Sequence, residues 1–300
     1  MRRISIMGDS ISTLQGYIPE GWRVFYEGEA KGQTDVVKPS NTWWHRLISH
    51  YGAKLHANSS FSGSMVAGPS FPAGCSMERA EALARDGEAP DAIIIFYGIN
   101  DYGWGHWQWQ VNFGSPSAAV EGVPEVDAPE AGNVVPEEAL SEFREGYAKM
   151  LNNIRTLYPE AEVWCCTLLP GRYEGQLYAT HPYLLRGALF DDYNEAIRET
   201  AAQEGCQVAD VAALGLDYVA IDGTHPNRRG MMQIAAMIAR AMENAGCDWA
   251  PDFELFLDVD SLLGTCFKSE RRCDQTTCVG CEHAKGVGNS WWCVCQRDMM

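Results

Sequence analysis

Short apolar runs alternate along the chain with longer stretches in which apolar residues recur every three or four positions. The clearest run lies at residues 91–97 and reads Asp-Ala-Ile-Ile-Ile-Phe-Tyr, and a shorter run starts at Ile4. A continuous apolar run is typical of a strand that is buried on both faces, as in the centre of a parallel sheet. Runs at residues 54–57, 161–168 and 206–211 predict three further strands.

Amphipathic stretches separate these strands. They predict helices at residues 41–51, 76–86, 137–154, about 187–204 and about 226–245, the first with Ser40 or Asn41 as its N-cap. Two intervening stretches, 102–136 and 170–182, lack a hydrophobic period and are predicted to be loops. The alternation of strands and helices favours an α/β fold, in which helices cover both sides of a parallel sheet.

Composition and charge narrow the class of protein. The 300 residues are 46% hydrophobic and 21% charged, as in a folded globular protein, and the net charge is -17. Such an acidic chain is a poor partner for nucleic acid or an anionic membrane, because both attract clustered Lys and Arg. No apolar run approaches the ~20 residues of a membrane span. Met1-Arg2-Arg3 leads directly into the first strand without a signal-peptide pattern, so we expect a cytoplasmic protein.

The cysteines divide the chain into two regions. Five of the 11 are scattered through the first 250 residues, and six lie in the last 35. We therefore predict a large domain at 1–250 and a small Cys-rich appendage at 251–300.

The appendage carries two chelating pairs, Cys278 with Cys281 and Cys293 with Cys295. Their spacing favours a structural, tetrahedral zinc ion in a reducing compartment, far from any catalytic chemistry. Three disulfides are the alternative, because the six cysteines are an even number. Unliganded thiols packed on the domain are a third hypothesis. Cys266 and Cys273 have no assigned role.

Ser10 follows the first strand, in the run Gly8-Asp9-Ser10. Ligands of open parallel sheets bind outside the carboxyl ends of the strands, so a serine at this point is well placed for chemistry. A glycine two residues earlier lets the backbone turn sharply beneath the side chain. The alternative is ordinary turn chemistry, in which serine after Gly-Asp is common.

Asp222 and His225 lie together in the loop before the last helix. A carboxylate three residues before a histidine can accept the ring N–H and turn the other ring nitrogen outward, as a general base requires. The alternatives are a turn, a helix cap or a shared metal ion. Gly63 and Asn100 also follow predicted strands, and the four loops can converge on one edge of the sheet. Acyl transfer needs a nucleophile, a base, an orienting acid and oxyanion donors, and this set supplies each of them.

Four motif blocks resemble those of the SGNH hydrolases, also called GDSL esterases and lipases, in the right order over roughly residues 3 to 246. The blocks are Gly8-Asp9-Ser10, Gly63, Gly98-Ile99-Asn100-Asp101 and Asp222-Gly223-Thr224-His225. Two mild departures are Ile11 in place of the Leu of the family name and Ser60 where glycine is frequent.

The resemblance implies a flavodoxin-like three-layer α/β/α sandwich with a five-stranded parallel sheet and no catalytic cofactor. It implies Ser10 as nucleophile, His225 as general base and Asp222 as its orienter. The Ser10 and Gly63 N–H groups and the Asn100 amide would form the oxyanion hole.

Aromatic residues near these motifs suggest a substrate class. Trp104, Trp107 and Trp109 follow Asn100, and Tyr17, Trp22, Phe25 and Tyr26 follow Ser10. Aromatic faces suit sugars or aryl groups, but such a cluster is equally often the core of a loop. We expect a short-acyl esterase, with acetylated carbohydrate as its substrate and with Asp9, Arg172 and the three tryptophans as further substrate contacts.

Two alternatives remain open. One is a thioesterase or lipid esterase of the same superfamily, and the other is a non-catalytic binding module that acts through the Cys-rich tail. The sequence leaves the oligomeric state open.

Overall fold

The computed structural model describes residues 1–68, 72–104, 136–173 and 188–252, with four short tail strands at 265–266, 271–272, 284–287 and 290–293. Five parallel strands form the central sheet: β1 (Arg3–Gly8), β2 (Lys54–Ser60), β3 (Ala92–Phe96), β4 (Glu162–Cys166) and β6 (Gln207–Ala209). Their order is β2-β1-β3-β4-β6, as in flavodoxin-like folds. After β1 the chain forms β2 on one side of β1, and it later forms β3 on the other side. This reversal of direction leaves a crevice at the carboxyl ends of β1 and β3.

Six α-helices lie in the described residues: α1 (Gly28–Thr34), α2 (Trp43–His50), α3 (Met77–Glu81), α4 (Pro136–Leu157), α5 (Phe190–Gln203) and α6 (Arg228–Asn244). Helix α2 packs against α6, and α4 packs against α3 and α5. These two groups form the outer layers of a three-layer α/β/α sandwich. The predicted fold class is thus confirmed.

The sheet is buried as the apolar runs predicted. Ile93, Ile94 and Ile95 in the central strand β3 have no exposed surface, so this strand faces helices on both sides. In α6, Met231, Ile234 and Ile238 are likewise fully buried.

The helix boundaries that differ from the predictions include the N-termini of α2 and α6 and the C-terminus of α3. Helix α2 is capped by Thr42, which accepts a hydrogen bond from the His45 N–H, because Pro39–Asn41 form a separate 3₁₀ turn. Helix α6 is capped by Asn227. Helix α3 ends at Glu81, and residue Asp86 further on has a left-handed backbone with φ 55°.

Two short strands lie where no strand was predicted. Strand β5 (Gly171–Tyr173) falls in the predicted 170–182 loop and pairs in parallel with β7 (Tyr218–Ala220). Strands of three residues are too short to show a period, so sequence patterns miss them. Strand β7 matters for the site, because it leads directly to Asp222.

The residues after α6 pack against the amino-terminal edge of the sheet. Trp249 is buried, its indole N–H donates to Glu162, and the Arg2 guanidinium lies 4.3 Å from its ring centre. In the tail, β8 (Thr265–Cys266) pairs with β9 (Arg271–Arg272), and β10 (Ala284–Val287) with β11 (Ser290–Cys293), both antiparallel. The domain boundary at residue 250 stays a prediction. Among the helices of the described residues, none combines the length and apolar character needed to cross a bilayer.

Candidate active site

Ser10 lies in a one-turn 3₁₀ helix directly after β1. The Asp9 carboxylate caps this turn by accepting the Ile11 N–H at 3.0 Å. A Cβ atom on Gly8 would lie 2.5 Å from Ser12 Oγ and 2.9 Å from the Phe96 carbonyl oxygen, so the close approach of these segments requires glycine. The first N–H groups of a helical turn have no partner within it, which leaves the Ser10 N–H available.

His225 joins Ser10 to Asp222. Its Nε2 lies 2.9 Å from Ser10 Oγ, and its Nδ1 lies 2.6 Å from Asp222 Oδ2. A carboxylate can only accept, so Nδ1 carries the proton and donates it to Asp222. In the neutral imidazole, Nε2 then carries no proton and can accept from the Ser10 hydroxyl, which is the arrangement a general base needs.

Asp222 is held in its ionised form. Burial acts to raise its pKa, but the charge of His225 and hydrogen bonds from His225 and Thr224 outweigh burial, so the pKa lies below its usual value. Asp222 Oδ1 accepts the backbone N–H groups of Thr224 at 3.0 Å and His225 at 2.7 Å. The same carboxylate therefore shapes the loop and orients the imidazole.

The segment after Ser10 also supports the histidine. The Phe25 ring stacks on the His225 ring, with 3.6 Å between centres and 4° between planes. The Tyr26 hydroxyl donates to the Pro226 carbonyl at 2.9 Å. Thr13 Oγ1 accepts the Phe25 N–H and donates to the Ser10 carbonyl, both at 2.9 Å. The sequence named Phe25 and Tyr26 as nearby aromatics but gave no signal that they contact this loop.

Gly63 and Asn100 follow β2 and β3, so both reach the same edge of the sheet as Ser10. Gly63 has φ 82°, a left-handed conformation that favours glycine. The Asn100 amide donates one N–H hydrogen to the Ser64 carbonyl at 2.7 Å, and its second N–H hydrogen can donate to another acceptor. The neighbouring Asp101 accepts the N–H groups of Val66 and Ala67 at 2.8 and 3.0 Å, so the loop with Gly63 is fixed to the end of β3.

The Asp9 carboxyl group is almost completely buried. Burial raises its pKa to about 6, although the Ile11 N–H and the charges of His225 and Arg79 act in the opposite direction. The carboxylate caps the turn of Ser10, and a contact of Asp9 with substrate stays a prediction.

Arg172 is also buried. It lies in β5, and its Nε donates to Asp217 Oδ1 at 3.2 Å. Through the β5–β7 pair it belongs to the structure that carries the Asp222 loop. Its predicted contact with substrate stays a prediction.

Other predicted site residues fall outside the described residues. Trp107 and Trp109 do so entirely, and of Trp104 only the backbone is described, at the end of the turn Asn100–Trp104. Cys278, Cys281 and Cys295 are outside as well, and Cys293 ends β11 with its side chain undescribed. Within the described residues, no group of three His, Cys, Asp or Glu side chains could hold a metal ion. The zinc site stays a prediction.

A groove of about 690 Å³ lies beside the edge strand β2, away from this chemistry. Its walls come from α2 and from the chain after α3, and Tyr17 and Trp44 contribute aromatic rings. Tyr17 therefore lines this groove, whereas Phe25 contacts the candidate site. None of the lining residues belongs to the Ser10, Asp222 and His225 group.

Comparison with known proteins agrees with the fold and the motifs. Residues 2–117, which contain the first three motif blocks, match the family model described as GDSL-like Lipase/Acylhydrolase. The matched residues make up less than half of the chain, and they support its resemblance to the SGNH hydrolases and its assignment as a hydrolase of ester bonds. No curated protein sequence matches the chain.

Solved structures resemble this fold over most of its length. A candidate GDSL-like lipase from Bacteroides ovatus is 24% identical, with a TM-score of 0.51 over 81% of this chain and 99% of that chain. A second, from Bacteroides uniformis, is 21% identical, with a TM-score of 0.51 over 81% and 96%. A carbohydrate acetylesterase from Sinorhizobium meliloti is 16% identical, with a TM-score of 0.49 over 82% and 99%, a similarity too low to bear on the substrate.

Proposed function

We propose that this esterase works through a Ser10–His225–Asp222 triad and an acyl-enzyme, and that it removes short acyl groups, above all acetyl, from carbohydrate esters. The observation that carries the proposal is the continuous hydrogen-bond chain from Ser10 Oγ through both ring nitrogens of His225 to Asp222, at 2.9 and 2.6 Å.

The first half of the reaction acylates Ser10. Ser10 Oγ attacks the carbonyl carbon of the ester while His225 Nε2 takes the hydroxyl proton. Asp222 stabilises the imidazolium that forms. When the tetrahedral intermediate collapses, the C–O bond to the alcohol breaks and the alcohol leaves with the proton from His225.

The second half releases the acid. Water attacks the acyl-enzyme while His225 takes one of its protons, and the bond to Ser10 Oγ breaks as that proton returns to the serine. In both halves the carbonyl oxygen becomes negative. The Ser10 N–H, the Gly63 N–H and the second Asn100 amide hydrogen are the proposed donors to it.

Small polar residues support a short acyl group. Ser60 ends β2, and Ser62 and Ser64 flank Gly63 in the loop that follows; the Ser60 hydroxyl bonds to Asn58. A long acyl chain gains about 0.8 kcal/mol for each CH₂ that it buries against apolar surface, and this loop offers little of it.

Aromatic rings support a carbohydrate on the alcohol side. Phe25 covers His225, and Trp22 meets Phe61 edge to face with 5.9 Å between ring centres. These rings border both the base and the loop of Gly63. Flat apolar faces of this kind suit the apolar face of a sugar ring.

The test of the triad is hydrolysis of a nitrophenyl acetate by Ser10→Ala. Because Ser10 Oγ is the atom that forms the acyl-enzyme, we expect a loss of several powers of ten with an unchanged thermal unfolding temperature. Ser12→Ala is the matched control, since it removes a hydroxyl in the same turn that bonds to the Trp43 indole instead. More than about a hundredth of the wild-type rate in Ser10→Ala would refute the assignment.

A panel of esters tests the substrate. Acetylated xylose and glucose derivatives are compared with nitrophenyl esters of two to twelve carbons and with acetyl and long-chain thioesters. We expect the highest kcat/KM for acetyl esters of sugars. A maximum at long acyl chains or at thioesters would favour the lipid-esterase or thioesterase alternative.

The structural zinc ion and the cytoplasmic location are further proposals. Metal analysis of protein purified without chelator, with a thiol count under denaturant, tests the zinc ion. Six missing thiols without zinc would favour disulfides in the tail.

A further inference from the structure

Arg79 is a fully buried arginine beside the candidate site. It lies in the short helix α3, and its side chain has no exposed surface. All of its hydrogen-bond partners in the described residues are carbonyl or hydroxyl oxygens, without a carboxylate among them. Burial of a charge without an opposite charge in contact is costly unless every donor is satisfied. A buried guanidinium group that bonds only to neutral oxygens in the described residues indicates a role that needs its hydrogen-bond donors, which an apolar side chain lacks.

Six hydrogen bonds use the five N–H donors of Arg79. Nη2 donates to the carbonyls of Gly8 at 2.6 Å and Ser59 at 2.7 Å, near the ends of β1 and β2. Nη1 donates to Ser64 Oγ at 2.8 Å. The remaining bonds go from Nη1 to the Pro72 carbonyl and the Tyr97 hydroxyl, and from Nε to Ser59 Oγ.

These partners belong to the segments that carry the proposed oxyanion donors. Gly8 precedes Ser10 by two residues. Ser64 follows Gly63 directly, and its carbonyl accepts the Asn100 amide. Arg79 therefore bonds to Ser64, which is next to Gly63 and bonded to Asn100. It also bonds to Gly8, which one residue separates from Ser10.

We infer that Arg79 is a positioning residue that sets the relative placement of the Ser10, Gly63 and Asn100 donors. This inference rests on the proposed function, because it concerns the same oxyanion hole. The physical reason is the rigid fork of the guanidinium group, which fixes the angles between the chains it bonds. Donors of an oxyanion hole act only if they are already in place, and a misplacement of about 1 Å can lower turnover about 10²-fold.

Arg79→Lys is the central variant, because it keeps the positive charge and loses the fork. Arg85→Met is the matched control. The Arg85 side chain is 65% exposed, and its contacts are the His56 carbonyl at 3.5 Å and Asp86 at 3.8 Å. The measurements are kcat and KM for a short-acyl ester, the inhibition constant of a trifluoromethyl ketone that forms an oxyanion on Ser10, and the thermal unfolding temperature.

The expected result separates turnover from substrate binding. In Arg79→Lys, kcat should fall about 10- to 100-fold while KM changes less than about threefold. Affinity for the ketone should fall in parallel with kcat/KM, because both depend on the oxyanion donors. Arg85→Met should match the wild type in all three measurements.

Ser64→Ala covers the case in which Arg79 variants do not fold. It removes one hydroxyl that Arg79 holds and leaves the Ser64 carbonyl, which bonds to Asn100. We expect kcat to fall about 3- to 10-fold without a change in KM, as for the loss of one hydrogen bond worth about 1 kcal/mol.

Two outcomes would overturn the inference, and they differ in what else they overturn. If a fluorophosphonate labels Ser10 and folded Arg79→Lys keeps wild-type kcat and ketone affinity, Arg79 has no positioning role. An unchanged kcat in Ser64→Ala would count in the same way where Arg79→Lys does not fold. If the fluorophosphonate leaves Ser10 of the active wild type unlabelled, the proposed function fails and this inference fails with it.

Discussion

The serine side and the histidine side of the site are held by different kinds of contact. On the serine side, Ser10, Asn100 and Arg79 are at most 4% exposed and lie in a network of hydrogen bonds at the ends of three central strands. On the histidine side, Asp222 and His225 are only partly buried, in a loop that follows the three-residue strand β7. The imidazole there is held by Asp222 and by the face of Phe25.

The difference matches the tasks of the two sides. Donors to an oxyanion must be in place before the charge develops, so a rigid, buried network suits them. The proposed base must first bond to Ser10 and then pass a proton to the leaving alcohol, so its ring needs freedom to adjust. A stacked ring restrains tilt but allows small movement within its plane, which a second set of hydrogen bonds would prevent.

The largest expected effect is on the histidine side. His225→Ala should lower kcat by about 10⁴ or more, because the Ser10 hydroxyl loses the base to which it is bonded. Asp222→Ala should lose less, since Phe25 still holds the ring. Steady-state kinetics on folded variants check both, and activity of His225→Ala within about a hundredth of wild type would contradict its role as base.

The next largest effect is on the serine side. Asn100→Ala should lower kcat about 10² to 10³-fold with little change in KM, because its amide is proposed to bond to the oxyanion more strongly than to the ground-state carbonyl. Asn153→Ala is a matched control, since it loses a similar amide-to-carbonyl bond, to Cys75. An effect on KM alone would make Asn100 a substrate-binding residue.

On the serine side, Asp9 should make the free energy of unfolding depend on pH. Its pKa is raised to about 6, so the folded protein keeps a proton that the unfolded chain loses near pH 4. The charged form of Asp9 lowers the free energy of unfolding. This destabilisation is absent below about pH 4, grows as pH rises, and is complete somewhat above pH 6. Asp9→Asn removes this destabilisation and can still accept the Ile11 N–H.

The measurement for Asp9 is the free energy of unfolding of both proteins between pH 4 and 8. The advantage of Asp9→Asn over wild type should increase across this range by roughly 2–3 kcal/mol, as two pKa units imply. A difference that does not vary with pH would mean that Asp9 is not buried as a titrating carboxyl group.

The smallest expected effect tests the aromatic support of the base. Phe25→Leu keeps an apolar side chain but loses the flat face on His225, so kcat should fall about 2- to 10-fold, as expected for about 0.5–1.5 kcal/mol of ring stacking. Tyr17→Leu is the control, because Tyr17 lines the separate groove beside β2. Equal kcat values for Phe25→Leu and wild type would show that Asp222 alone orients the ring.

The sequence by itself determined the parts of this protein that depend on local pattern. A continuous apolar run predicts a buried strand wherever it occurs, so the central strands were predicted within a few residues. The polar motifs follow those runs directly, which predicted that Ser10, Gly63, Asn100 and the Asp222 loop reach one edge of the sheet. Short strands such as β5 and β7 have too few residues to show any such pattern.

Only the tertiary structure decided which side chains meet. His225 and Ser10 are 215 residues apart, and Arg79 reaches Gly8 across 71 residues. Arg79 lies in a five-residue helix with charged neighbours, and arginine side chains are mostly exposed in proteins. Its burial depends on carbonyl and hydroxyl oxygens that several distant segments supply together, and these oxygens come within reach of its guanidinium group only when the sheet has formed.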